Sequence, residues 1–246
     1  MHIKLFLFFV FLSYSFSLNA AEEDISEWRT KSMDLSNSSM SYISIPLGLS
    51  DYDFEKLSKI EITHSSTYDR FGSLEIIQDE LPRFIEEEVG IIDPEIKSII
   101  TSSILSISSK IVQSLDLDTA WVTIRFTKPN RLFEIPRWHT DGAFYEPYEA
   151  TNFKYAAVLK GPGTLFANEL NEDQMKKISD RIRDNNLISQ NQIFSPQFGD
   201  GVLFKTGGSK NSAVHSEPHM NEDRIFFSIV PGTYENINEL KNRWNK

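Results

Sequence analysis

The sequence predicts an α+β chain. A mainly helical N-terminal part supports a C-terminal part of short strands closed into a sandwich or barrel, with the helices packed outside. Three observations point there. Isoleucines recur at helical intervals between Pro94 and Leu115. From Thr119 onward, short runs of β-branched and aromatic residues alternate with glycine, proline and asparagine turns. No internal repeat appears, and no linker is rich enough in Gly, Ser or Pro to divide the chain.

Residues 1–20 have the layout of an export signal: Lys4, an apolar run from Leu5 to Phe16, and small residues at Ala20-Ala21. The run is too short to span a membrane comfortably. The expectation is a periplasmic or secreted protein, or a cytoplasmic one if the leader does not function. Residues 21–118 are read as helical support and 119–246 as the core, together one continuous domain. Residues 22–50 are polar, with little periodicity, and are expected to lie on the surface. Residues 51–60 predict a short helix. Residues 73–89 predict a helix interrupted at Pro82 and stopped at Gly90. Asp93-Pro94 is an N-cap followed by the residue best suited to a first turn, and it opens the clearest helix. Ile96, Ile99, Ile100, Ile104, Ile107 and Ile111 form its stripe. Its serines favour helix poorly, so burial of the stripe must hold it.

Trp121–Phe126 alternates as a strand, and Pro129-Asn130 turns the chain. Tyr155–Leu159, Thr164–Phe166, Gln192–Phe194, Val202–Lys205 and Arg224–Val230 follow as strands. A helix over roughly 171–184, with Met175, Ile178 and Ile182 on one side, interrupts them.

The formal net charge of -10 and the lack of any Lys/Arg run argue against a general nucleic-acid binder. With no cysteine in the chain, disulfides, iron–sulfur clusters, Cys-zinc sites and thiol nucleophiles are excluded. A metal must be held by His, Asp, Glu or backbone, and there are five histidines.

His139 and Asp141 stand two apart in Arg137-Trp138-His139-Thr140-Asp141-Gly142. On an extended segment they face the same way. A further imidazole would complete a two-histidine, one-carboxylate set, which suits iron with open positions. His215, shortly after one strand and before another, is the candidate, with His219 as the alternative. His64 reads as a surface residue. Arg224 opens the last strand and can grip a carboxylate with two prongs. Trp138, Phe144, Tyr145 and Tyr148 flank the stretch as cleft-lining or packing residues.

The order His139-x-Asp141, Gly199-Asp200-Gly201, His215 and then Arg224 resembles the Fe(II)/2-oxoglutarate-dependent dioxygenases over roughly residues 119–231. The resemblance implies a double-stranded β-helix, or jelly roll. It implies Fe(II) held by His139, Asp141 and His215, and 2-oxoglutarate anchored by Arg224. It implies an oxygenase or hydroxylase acting on a small molecule or protein side chain. Many members have Ser or Thr two residues after the arginine; here Phe226 stands there, and Ser228 lies further along the same face as a second cosubstrate contact. Lys154, Tyr155, Lys160 and Lys205 are candidate substitutes. The segments Trp138–Asp141, Gly161–Thr164 and Val214-His215 also resemble an uncharacterised bacterial family, which implies no activity. Two other readings use the same features: an exported jelly-roll ligand-binding protein without turnover, and a cupin-type hydrolase or isomerase with another metal. No nucleic-acid partner and no membrane span after signal cleavage are expected.

Overall fold

The isoleucine stripe becomes one buried face of a long helix, and that helix covers a sheet. A computed structural model describes residues 24–141, 153–207 and 211–244. The stretch read as an export signal lies outside the described residues, as do Phe144, Tyr145 and Tyr148. The architecture is a mixed helix and antiparallel-sheet fold.

The larger sheet contains β1 (Tyr42–Pro46), β2 (Ser66–Gly72), β3 (Thr119–Thr127), β4 (Phe153–Lys160), β7 (Asp200–Lys205) and β9 (Arg224–Gly232), in the order β1-β7-β4-β9-β3-β2. The smaller contains β5 (Leu165–Ala167), β6 (Ile193–Phe194) and β8 (His215–Ser216), in the order β6-β5-β8. His139 adds an antiparallel bridge to His215. The helices are α1 (24–37), α2 (Asp51–Ser58), α3 (Leu74–Glu87), α4 (Pro94–Ser114), α5 (Glu172–Ser179) and α6 (Tyr234–Trp244).

Period-two alternation gives the larger sheet two different faces. Val122, Ile124, Tyr155, Ala157, Leu203, Phe227 and Ile229 join the main core beneath α1, α3 and α4. Their neighbours Ala156, Val202 and Phe204 pack against Phe166 of the smaller sheet. Helices, large sheet and small sheet therefore form three layers. Asp93 caps α4 as expected, its carboxylate accepting from the backbone N–H of Glu95 and Ile96. Ile100, Ile104, Ile107 and Ile111 are buried beneath it, each worth roughly 1.5–3 kcal/mol against exposure. That outweighs the few tenths per residue that serine costs a helix. The buried hydroxyls of Ser103 and Ser108 donate back to the carbonyls of Ile99 and Ile104.

Four expectations need correction. Residues 24–46 are not a surface leader: α1 buries Trp28 and Leu35, seven residues apart, and β1 joins the sheet. Residues 66–72 form an edge strand beside β3. α3 runs through Pro82 without a break, because Ile77, Leu81 and Ile85 bury one face across the proline. α5 stops at Ser179 instead of reaching 184: Arg181 turns left-handed (φ 57°), and Ile182 is left exposed. No described helix is long and apolar enough to cross a membrane.

Candidate metal centre

The site begins with a pairing between distant parts of the chain. The His139 N–H donates to the His215 carbonyl at 3.0 Å, and the His215 N–H donates to the His139 carbonyl at 2.9 Å. Alternation turns the flanking Trp138 and Val214 into an apolar cluster with Ala167, Ile178, Leu187 and Ile188. Trp138 is therefore packed, and it does not line the cavity that holds the triad. The two imidazoles face the large sheet with ring centres 4.4 Å apart. His215 lies 5.0 Å from the Phe204 ring and is buried.

Each ring is oriented by a carbonyl two residues back. His139 Nδ1 lies 2.8 Å from the Arg137 oxygen, and His215 Nδ1 lies 3.2 Å from the Ala213 oxygen. A carbonyl only accepts, so each Nδ1 carries a proton and Nε2 is the ring nitrogen left to face the site. Such outer hydrogen bonds commonly orient metal-binding histidines.

Asp141 supplies the carboxylate, its side chain only 11% exposed. Its Oδ1 lies 3.7 Å from His215 Nε2, and its Oδ2 lies 3.4 Å from Lys154 Nζ. One oxygen thus faces the imidazoles and the other the ammonium. Burial pushes the Asp141 carboxyl up, but Lys154, His215 and His139 outweigh it and hold it below the ordinary carboxylate value. Burial brings His215 down to about 4, with Asp141 opposing, so the imidazole is neutral at neutral pH. Asp141 and His215 are thus in the protonation states a cation requires.

One ligand atom from each of His139, Asp141 and His215 lies within 4.8 Å of the others. Three ligands about 2.0–2.2 Å from one ion lie roughly 3–4 Å from one another. The set therefore fits a small divalent cation once the side chains draw inward. His219 is exposed and outside this group, so His215 is the third member. His64 is exposed, as expected.

The triad forms one wall of a cavity of about 310 Å³ that also contains Arg224, Ser228, Thr164 and Glu217. Arg224 is buried. Its Nε donates to the Pro162 carbonyl and its Nη2 to Thr164 Oγ1, both at 2.9 Å. Two of its five N–H donors are thereby used within the described residues. Burial lowers the guanidinium to about 9, with Glu217 opposing, which leaves it charged at neutral pH.

Gly161 makes these contacts attainable. Its backbone is left-handed (φ 86°), and a Cβ there would sit 2.4 Å from the Asp223 carbonyl and 3.1 Å from Arg224 Cα. Only glycine lets the chain cross the start of β9 this closely. A bulge between Val158 and Lys160 precedes the crossing.

Of the candidate carboxylate partners, only Lys154 lines the cavity. Tyr155 belongs to the main core beneath the helices. Lys160 donates to the carbonyls of Ser58 and Ile60, and Lys205 to that of Ser38.

Several cavity residues were missed from sequence: Arg125, Arg137 and Glu217, together with the Thr164 hydroxyl beside Arg224. The parity rule that links His139 to Asp141 also reaches Arg137 and Glu217, two residues from His139 and His215. Arg137 Nη2 donates to Glu217 Oε1, while Glu217 Oε2 is buried with no hydrogen-bond partner.

No protein-family model and no curated protein matches this chain. Solved structures similar to it include a dioxygenase for auxin oxidation from rice, at 9% identity over 86% of this chain and 78% of that one, with a TM-score of 0.44. A Pseudomonas putida prolyl-4-hydroxylase is similar at 12% identity over 85% of this chain and 98% of that one, TM-score 0.43. A viral collagen prolyl hydroxylase from Paramecium Bursaria Chlorella virus-1 is similar at 14% identity over 78% and 90%, TM-score 0.40.

Proposed function

We propose that this chain is an iron-dependent oxygenase that uses 2-oxoglutarate and oxygen. The observation that carries the reading is the joint presence, in one cavity, of His139, Asp141 and His215 with the buried guanidinium of Arg224. The strand pairing supports a jelly-roll core. Counting the His139 bridge as a strand, the eight strands from β3 to β9 pair first with last, second with seventh, third with sixth and fourth with fifth.

The residues divide the work. His139 and His215 would offer Nε2, and Asp141 would offer Oδ1. Lys154 holds Oδ2 and keeps the carboxylate ionised. Arg224 and Thr164 would bind the distal carboxylate of 2-oxoglutarate, with Ser228 on the same strand face. Ferrous iron with 2-oxoglutarate supplies the oxidising chemistry when bound, and the protein supplies binding, orientation and exclusion of competing substrates. Trp121, Phe226 and Val230 give the cavity its apolar walls.

The test is anaerobic addition of Fe(II) and then 2-oxoglutarate, followed by visible absorption and, after oxygen is admitted, by succinate. The expected result is a charge-transfer band and succinate from the wild type, and neither from His139→Ala. Tight zinc or manganese with no band and no succinate would instead support a hydrolase or isomerase. No metal retention at all would support a binding protein.

A further inference from the structure

We infer that the site takes an acidic peptide segment, whose carboxylates lie along Arg137, Arg181 and Arg183 while one side chain enters the cavity. The inference deepens the oxygenase reading and rests on it for the chemistry, but not for the binding.

A groove of about 470 Å³ adjoins the cavity and shares Arg137, His139 and Thr140 with it. Arg181 and Arg183 line its outer part, and no acidic residue lines it among the described residues. This is unusual ground for a chain with a formal charge of -10. Positive residues gathered at one opening focus the local field and draw anions to it. On neighbouring α5, Lys176 and Lys177 are paired with Asp180 and Asp173. The guanidinium groups of Arg181 and Arg183 have no such partner among the described residues and are exposed.

The backbone adds a second observation. Arg181 is left-handed (φ 57°), a conformation that glycine or asparagine adopts at lower cost. The left-handed residue just beyond α5 is nonetheless an arginine, and its charge borders the groove. Arg137, at the junction, is held by Glu217 and lies 5.6 Å from the centre of the Phe133 ring. The cavity of about 310 Å³ must also admit the cosubstrate. It has room for a reacting side chain but not for a large ligand, so the rest of an extended substrate would lie in the groove. The guanidinium groups of Arg181 and Arg183, unpaired among the described residues, with Arg137 paired to Glu217 at the junction, suit a chain bearing several carboxylates.

The probe is fluorescein-labelled hexaglutamate, followed by anisotropy with the full chain at low salt. The comparison variant is Arg181→Gly with Arg183→Gln. Glycine relieves the left-handed backbone, so this variant keeps its fold, which circular dichroism checks. Expected is saturable binding to the wild type, at least tenfold weaker binding to the variant, and wild-type binding undiminished by a metal chelator. That last arm separates the two readings: failure of iron or succinate chemistry leaves peptide binding standing. Equal binding by wild type and double variant would overturn the inference. So would tighter binding of hexalysine, or equal binding of an oligothymidine of matched charge, which would mark a general polyanion surface.

Discussion

The Arg224 guanidinium lies 4.6 Å from the centre of the Phe226 ring, two residues further along the same face of β9. A hydroxyl reaches the guanidinium from just before β5: Thr164, after the Gly161 crossing, accepts from Nη2 at 2.9 Å. The guanidinium is thus held on one side by π-electrons and on the other by a carbonyl and a threonine. Arg224→Met should weaken 2-oxoglutarate binding about 100-fold, since charge-assisted hydrogen bonds are worth about 1.5–3 kcal/mol each. Arg224→Lys should fall between, keeping charge but losing the fork. Thr164→Val should cost about tenfold, by leaving a buried donor unpaired. Calorimetric titration of 2-oxoglutarate into the Mn(II)-loaded protein measures all three.

Metal should stabilise the fold through the triad. At a free concentration 100 times its Kd, a ligand adds about 2.7 kcal/mol. For a chain of this size that is a rise in Tm of about 5–10 °C. Thermal denaturation with Mn(II) should show the rise for the wild type and lose it for His139→Ala, His215→Ala and Asp141→Asn. Chelation should reverse it. A full rise in any of the three variants would remove that residue from the metal site.

Acid should destabilise the metal-free protein in two successive windows. His215 is depressed to about 4 from an ordinary value near 6.5. Between those values the unfolded chain binds a proton that the folded chain refuses. Stability is therefore full above about 6.5 and falls as the pH drops toward 4. Asp141 is also held low. Its contribution is present above the unfolded value of about 3.9 and is lost as pH falls through its folded value. Urea denaturation of the metal-free wild type should show a midpoint falling from pH 7 to 4. His215→Phe should flatten that slope.

Gly161→Ala should affect stability and cosubstrate binding together. The added Cβ would meet the Asp223 carbonyl at 2.4 Å, and the left-handed backbone disfavours any side chain. A loss of about 2–4 kcal/mol is expected. The displaced Pro162 and Thr164 should also weaken 2-oxoglutarate binding. Gly90→Ala is the control: its backbone is also left-handed (φ 79°) but its Cβ meets nothing within 4 Å. It should cost less and leave cosubstrate binding unchanged.

The site was legible where parity and spacing carried it. His139 and Asp141 share a face because they are two apart, and His215 meets His139 through a bridge that strand order makes attainable. Glu217 and Arg137 obey the same parity, but nothing in the chain marks them as paired until the bridge fixes their register. Thr164 was hidden because its partner lies 60 residues away and depends on Gly161 passing the start of β9. In the fold, the α4 stripe and strands β3, β4, β7 and β9 stand out because each is long and buried. β1 and β2 lie at sheet edges with mixed burial, so their apolar pattern is faint. α1 buries Trp28 and Leu35 within a stretch otherwise dominated by charge and serine. Pro82 opposes a helix locally, and the burial of Ile77, Leu81 and Ile85 that offsets it is a tertiary effect. α6 was unforeseen: only Ile237 and Leu240 bury against Trp121 and Val230.

β1 and β2 occupy opposite margins of the six-stranded sheet, although both come from the first third of the chain. Each covers a row of backbone donors and acceptors, on β7 and β3 respectively. A fragment beginning at Thr119 would retain the triad and Arg224 yet bare both rows, and bare strand edges recruit other chains. Such a fragment is expected to self-associate into β-rich aggregates, visible by light scattering. The early chain acts as a pair of selvedges that keep the large sheet from joining its neighbour.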